Sequence, residues 1–185
     1  MKHLVFLLEE PSAEEMLKGI LPQILPNGII ARYVVFEGKQ DLDKRVERRV
    51  RGWRIPDTAF VVIRDKDSGD CHNIKQALAA KMANAGQPGA LVRIACHELE
   101  SFYLGDLAAV EAGLEIPGLS RHQHKAKYRQ PDRIANPAEE LIRLTAYQKV
   151  SGSRAIAPHL SLDGSNRSHS FQVLVDGIKK IIDDL

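Results

Sequence analysis

Cysteine is scarce in this chain: Cys71 and Cys96 are the only two in 185 residues. Two thiols are too few for a zinc framework, and their simplest setting is the reducing one of the cytoplasm. Long apolar runs are missing as well. The opening stretch Met1-Lys2-His3-Leu4-Val5-Phe6-Leu7-Leu8 is too short for a signal peptide and meets Glu9 at once, and no other run approaches the length of a membrane span. There is no excess of one charge, because 26 Lys and Arg face 24 Asp and Glu for a formal +2. Non-specific nucleic-acid binding therefore does not follow from net charge and would need local patches. No Walker loop or Rossmann glycine fingerprint occurs, which leaves a nucleotide cofactor without support. Asp65-x-Asp67 opens like a calcium loop, but Gly69, Asp70 and Gln76 fill the positions for a ligand, the glycine and the closing glutamate. His97-Glu98 opens like a zinc-protease helix, yet Ser101 stands where the second histidine belongs. His72, His122, His124 and His159 could ligate metal but read more simply as scattered surface histidines.

What is present is 44% apolar residues, enough for one substantial core, so the chain is read as one domain over 1–185. Strand-length apolar runs alternate with segments of helical spacing, the pattern of an α/β fold with a mainly parallel sheet covered by helices. Four strands are expected near His3–Leu8, Ile29–Phe36, Ala59–Arg64 and Leu91–Cys96. Helices are expected after each, the first with Ser12 as its cap, the second over Gln40–Trp53 with a basic outer face, then Cys71–Ala85 and Asp106–Leu114. Residues 1–114 thus form an α/β core, and 115–185 a loop and helical extension. In that extension a basic segment, Arg121–Arg133, lies among chain-breaking prolines. A helix near Pro137–Tyr147 follows, and a last one begins at Ser168 with Phe171, Leu174, Val175, Ile178, Ile181 and Ile182 on one stripe.

Residues just past the carboxyl ends of parallel strands share one edge of the sheet, where ligands bind. Four strands deliver acids there: Glu9 and Glu10, Glu37, Asp65 and Asp67, and Glu98 and Glu100. Side chains two apart in extended structure point the same way, so Asp65 and Asp67 reach one ion if the strand persists through Lys66. Clustered carboxylates repel unless a cation neutralises them, and a hard cation such as Mg²⁺ is the natural partner. Acids at strand-to-helix junctions also serve as helix caps, the role assigned to Glu10, Glu37 and Asp70.

An N-terminal strand ending in Glu9, followed by a helix and later by a strand ending in Asp65-x-Asp67, resembles the Toprim superfamily, which includes topoisomerases, bacterial primases and overcoming-lysogenization-defect nucleases. Four stretches resemble more closely a family of small bacterial proteins of unknown function within it. They are Leu8–Leu17, Val62–Ser68, His97–Asp106, and Tyr147-Gln148-Lys149 together with Ser168–Phe171. The resemblance spans nearly the whole chain. It implies a Toprim-like, Rossmann-like fold, Mg²⁺ (or Mn²⁺) held by Glu9, Asp65 and Asp67, Glu98 and Glu100 as a later acidic pair, and Glu9 as ligand or proton carrier. Two departures bear on affinity and activity. Glu10 stands where the family glutamate is usually followed by glycine, and Ala13 where a second glutamate often stands.

The leading functional expectation is a metal-dependent nuclease or phosphodiester hydrolase acting on DNA or RNA, with Lys149 as a candidate for stabilising charge on the phosphoryl group. The alternative is a catalytically degraded Toprim-like module that binds nucleic acid or a partner ATPase, the latter by resemblance alone. A phosphomonoesterase of the haloacid-dehalogenase kind ranks third. Two basic stretches are candidates for phosphate contact: Lys44–Arg54, which also reads as a solvated helix face, and Arg121–Arg129, nearer the acidic edge and preferred.

Overall fold

The computed structural model describes all 185 residues. Its sheet has four strands, β1 (Lys2–Leu8), β2 (Ile29–Val35), β3 (Thr58–Asp65) and β4 (Leu91–Ala95), all parallel and ordered β2-β1-β3-β4. β1 is buried along its length from His3 onward because it lies inside the sheet with helices on both faces. Alternation divides its side chains between two cores. Leu4, Phe6 and Leu8 join the larger, while Val5 and Leu7 join the smaller.

On the smaller side lie α2 (Lys39–Arg51) and α3 (Cys71–Asn84), held by Leu42, Val46 and Val50 of the one and Leu78 and Met82 of the other. The larger side holds α1 (Pro11–Ile20), α4 (Glu100–Leu104), α5 (Leu107–Leu114), α6 (Pro137–Leu144), α7 (Lys149–Ile156) and α8 (His169–Asp184). This is the Rossmann-like α/β architecture expected from the alternation of elements. No helix is long and apolar enough to cross a membrane.

Several local expectations change. Glu10, not Ser12, occupies the cap position of α1, without a side-chain cap bond; Pro11 takes the first helical position, where the missing N–H costs nothing, and Ser12 lies one residue inside. Ser168 does cap α8, its hydroxyl accepting from the Phe171 N–H. Asp70 caps α3 by accepting from Asn73 N–H. Residues 115–136 are not an open loop but a chain of 3-10 turns, and α7 is a helix the apolar spacing did not announce.

β1 pairs with β2 on one side and β3 on the other. The chain leaves β1 toward β2 and returns past it to β3, so the strand order reverses at β1. The carboxyl ends of β1 and β3 therefore flank the crevice where open α/β sheets bind ligands.

Candidate metal centre

The crevice is built from Glu9, one residue past β1, and Asp65, the last residue of β3. Asp65 N–H donates to Glu9 Oε2 at 3.1 Å, tying the two strand ends together. Asp65 is only 8% exposed and its carboxyl has no hydrogen-bond donor. Burial holds it well above the ordinary aspartate range, and the charges of Glu10, Glu100 and Glu9 push it further. Glu9 is raised too, by burial first, against the lowering effect of the Asp65 N–H.

Glu100 enters from the first turn of α4 and is fully buried. Tyr147, just ahead of α7, donates its hydroxyl to Glu100 Oε1 at 2.9 Å. Oε2 has no partner. Burial again raises the carboxyl, the Lys149 charge opposing it. Lys149 Nζ bonds Glu10 Oε2 at 3.3 Å, and Ser12 Oγ donates to Glu10 Oε1 at 2.6 Å. Burial lowers the Lys149 ammonium, but Glu100 and Glu10 outweigh it and leave it raised.

The other expected ligands stand apart. Asp67 adopts a left-handed backbone, φ 51°, so the extended run ends before it, and its carboxylate pairs with Lys39 Nζ at 2.6 Å. Glu98 points toward α6, where Oε2 accepts from Ala138 N–H at 2.9 Å. Ala13 is buried in the larger core. Glu10, assigned a capping role, makes no cap bond and belongs to the acidic group instead.

Arg64 was not singled out in the sequence. It grips both oxygens of Asp43 through Nη1 at 3.0 Å, while its Nε lies 4.0 Å from Glu9 Oε2, buried and without a hydrogen bond. Tyr103 Oη is a further unpartnered buried atom. Its hydroxyl is held far above the ordinary range by burial, and the charges of Glu100, Glu10 and Asp65 reach it.

Only four buried side-chain nitrogen or oxygen atoms in the chain lack a partner, and three of them, Glu100 Oε2, Tyr103 Oη and Arg64 Nε, border this one site. Native proteins satisfy nearly all such atoms, so a polar partner, water or ion, belongs beside them. Among the groups there, the carboxylate oxygens of Glu9, Glu10, Asp65 and Glu100 are of the kind that suits a hard divalent cation. No three Asp, Glu, His or Cys side chains converge closely enough to hold an ion as they lie. Two of the carboxylates have partners of their own, Glu10 the Lys149 ammonium and Glu9 the Asp65 amide.

Fold and site together define a Rossmann-like α/β protein with a carboxylate-lined crevice at its strand-order reversal. The chain belongs to the family described as domain of unknown function (DUF4276), whose model matches residues 8–179 and so takes in every residue of the crevice. No curated protein and no solved structure matches it.

Proposed function

We propose that this chain is a divalent-cation-dependent phosphodiester hydrolase, a nuclease of the Toprim kind. The observation that carries the reading is the group of unpartnered buried atoms around Asp65, Glu9, Glu10 and Glu100 at the β1/β3 crevice. Asp65 and Glu100 would hold the ion, Mg²⁺ or Mn²⁺, with Glu9 or Glu10 completing the set. A cation bound there neutralises charge on a phosphate oxygen and lowers the pKa of a water. Glu9, whose affinity for a proton is already raised, is suited to take a proton from that water and pass it to the leaving oxygen. Arg64 Nε and the Lys149 ammonium supply positive charge for the phosphoryl oxygens. Tyr147 fixes the Glu100 carboxylate as an outer partner of the ligand set. A cytoplasmic setting suits the two free thiols, Cys71 being exposed.

The test is cleavage of DNA and RNA oligonucleotides under Mg²⁺ and Mn²⁺ titration, with native chain beside Asp65→Asn. We expect cation-dependent cleavage that falls at least about a hundredfold in the variant, the scale of losing one charge-stabilising group. Cleavage that survives a chelator or the substitution would sink the reading.

A second reading has its own support. Asp67 is committed to Lys39, Glu98 to the start of α6 and Ala13 to the core, so three positions a catalytic relative would use serve structure instead. In that reading the chain is a binding module for nucleic acid or a partner ATPase, and binding without cleavage is its signature. Hydrolysis confined to small phosphate esters would favour the phosphomonoesterase.

A further inference from the structure

A second feature lies on the other side of β1 from Asp65. Between β2 and α2 runs a cavity of about 550 Å³, lined by Val34, Phe36 and Trp53 on its apolar side and by Arg45, Arg48, Arg49 and Arg54. It exists because β2 is an edge strand whose residues are only half-covered, while α2 turns Leu42, Val46 and Val50 inward. Arg45 spends its charge on Asp41 at 3.1 Å. Arg48, Arg49 and Arg54 form no ion pair, though neighbouring Arg51 is paired with Glu47. Arginines in the last turn of a helix favour its dipole, which accounts for Arg48 and Arg49. It does not account for Arg54, which lies beyond α2 and lines the same cavity.

The upper end of this groove adjoins the acidic crevice. Phe36 N–H donates to Leu8 O at 2.8 Å and Gly38 N–H to Glu9 O at 3.0 Å. The end of β2 that borders the groove thus lies beside Glu9, where Glu37 and the Arg45-paired Asp41 also line it. A comparable cavity of about 530 Å³ lies near Arg133, but its Lys127 and Arg143 are both engaged by the buried Glu140. That leaves Arg133 as its one unpaired cation, against Arg48, Arg49 and Arg54 in the groove along α2. Arg48 and Arg49 are neighbours in the last turn of α2 and Arg54 follows beyond its end, so three unpaired cations line one groove, suited to a ligand that repeats its charge once per nucleotide. The half-buried indole of Trp53 adds an aromatic surface for a base.

We propose that the groove between β2 and α2 binds the sugar-phosphate backbone of a single-stranded nucleic acid, Arg48, Arg49 and Arg54 contacting phosphates and Trp53 a base. The proposal deepens the phosphodiesterase reading by giving its substrate a path, and it rests on that reading for the identity of the ligand.

Trp53 is the only tryptophan, so its fluorescence reports the groove alone. The experiment titrates a short single-stranded oligonucleotide into the Asp65→Asn chain in chelator, following Trp53 emission and the salt dependence of anisotropy. We expect a saturable change in emission. Arg48→Ala/Arg49→Ala/Arg54→Ala should weaken binding tenfold or more and flatten the log–log salt slope by about 2, three contacts at about 0.7 each. The triple lysine variant, which keeps charge, should retain the slope, separating lost charge from lost fold. An unchanged emission, an unaltered slope in the alanine variant, or equal binding of duplex or polyglutamate overturns the assignment. Cleavage plays no part in this measurement, so its failure leaves the proposed chemistry standing, and failure of the cleavage assay leaves the groove standing.

Discussion

Asp65 carries the site at the scale of a single residue, and its burial has a thermodynamic consequence. With its carboxyl held well above the ordinary range, the folded chain binds a proton there more tightly than the unfolded chain does. The stability this contributes is full below the ordinary aspartate range and is lost as pH rises through the raised value. Asp65→Asn cannot ionise and escapes the loss. In chelator, its melting temperature should gain on wild type as pH is raised from the ordinary carboxylate range, and the gap should close on acidification. If the crevice holds Mg²⁺ as proposed, the ion should raise the wild-type melting temperature and leave the variant unmoved. Thermal melts across pH check both, and a variant that loses ground to wild type as pH rises contradicts the buried, unpaired placement. Glu9 and Asp65 were legible in the sequence because their place at the ends of β1 and β3 sends them to one edge, and Glu100 only as one of a pair with Glu98 after β4. Asp67 and Glu98 were not separable from them: a left-handed φ at one and an amide 40 residues onward at the other decide where they point. Arg64 escaped notice because a lone arginine inside a strand carries no signal until its partners are known.

Among the elements, α7 has the largest leverage on the site. It approaches its neighbours through glycines and small residues rather than an apolar stripe. A Cβ on Gly152 would lie 2.3 Å from the Tyr147 ring, and one on Gly113 of α5 would lie 2.5 Å from Ala155 O. Gly152→Ala should therefore displace the ring that positions Glu100. We expect about 1–3 kcal/mol of destabilisation from overpacking, read by urea unfolding, with weaker Mn²⁺ binding by calorimetry. Tyr147→Phe separates the effects: it keeps the ring, loses the hydroxyl that Glu100 accepts, and should weaken metal binding at a smaller cost in stability. If Gly152→Ala binds Mn²⁺ as wild type does, α7 is not what sets Glu100. This mode of packing also explains why α7 could not be read from periodicity, whereas α1, α2 and α8, with apolar residues three and four apart, could. The turns at 115–136 were hidden for a related reason. Gln123 holds them, accepting from Leu107 N–H and donating to the Leu104 and Tyr128 carbonyls, and such side-chain-to-backbone ties leave no repeating pattern.

Over the whole molecule, the division into a core at 1–114 and an extension at 115–185 dissolves in the packing. Of the 29 buried residues in the larger core, eleven lie beyond Leu114, among them Tyr147, Phe171, Leu174 and Ile178. The extension also supplies Lys149 and the hydroxyl that holds Glu100. Neither face of the sheet can lose its helices without exposing strands shared with the other, since β1 gives alternate residues to both. The two faces should accordingly unfold together. Trp53 stacks edge-on against Phe60 on the α2 side, 5.8 Å between ring centres, and so reports the face opposite α8. Leu174→Ala on α8 removes a fully buried side chain and should cost about 2–5 kcal/mol. If the chain folds as one unit, that loss lowers the urea midpoint equally by Trp53 fluorescence and by far-ultraviolet circular dichroism. A Trp53 transition that stays in place while the dichroism shifts would show that the two faces fold independently, and the crevice, assembled from both β1 and α7, would then depend on their docking.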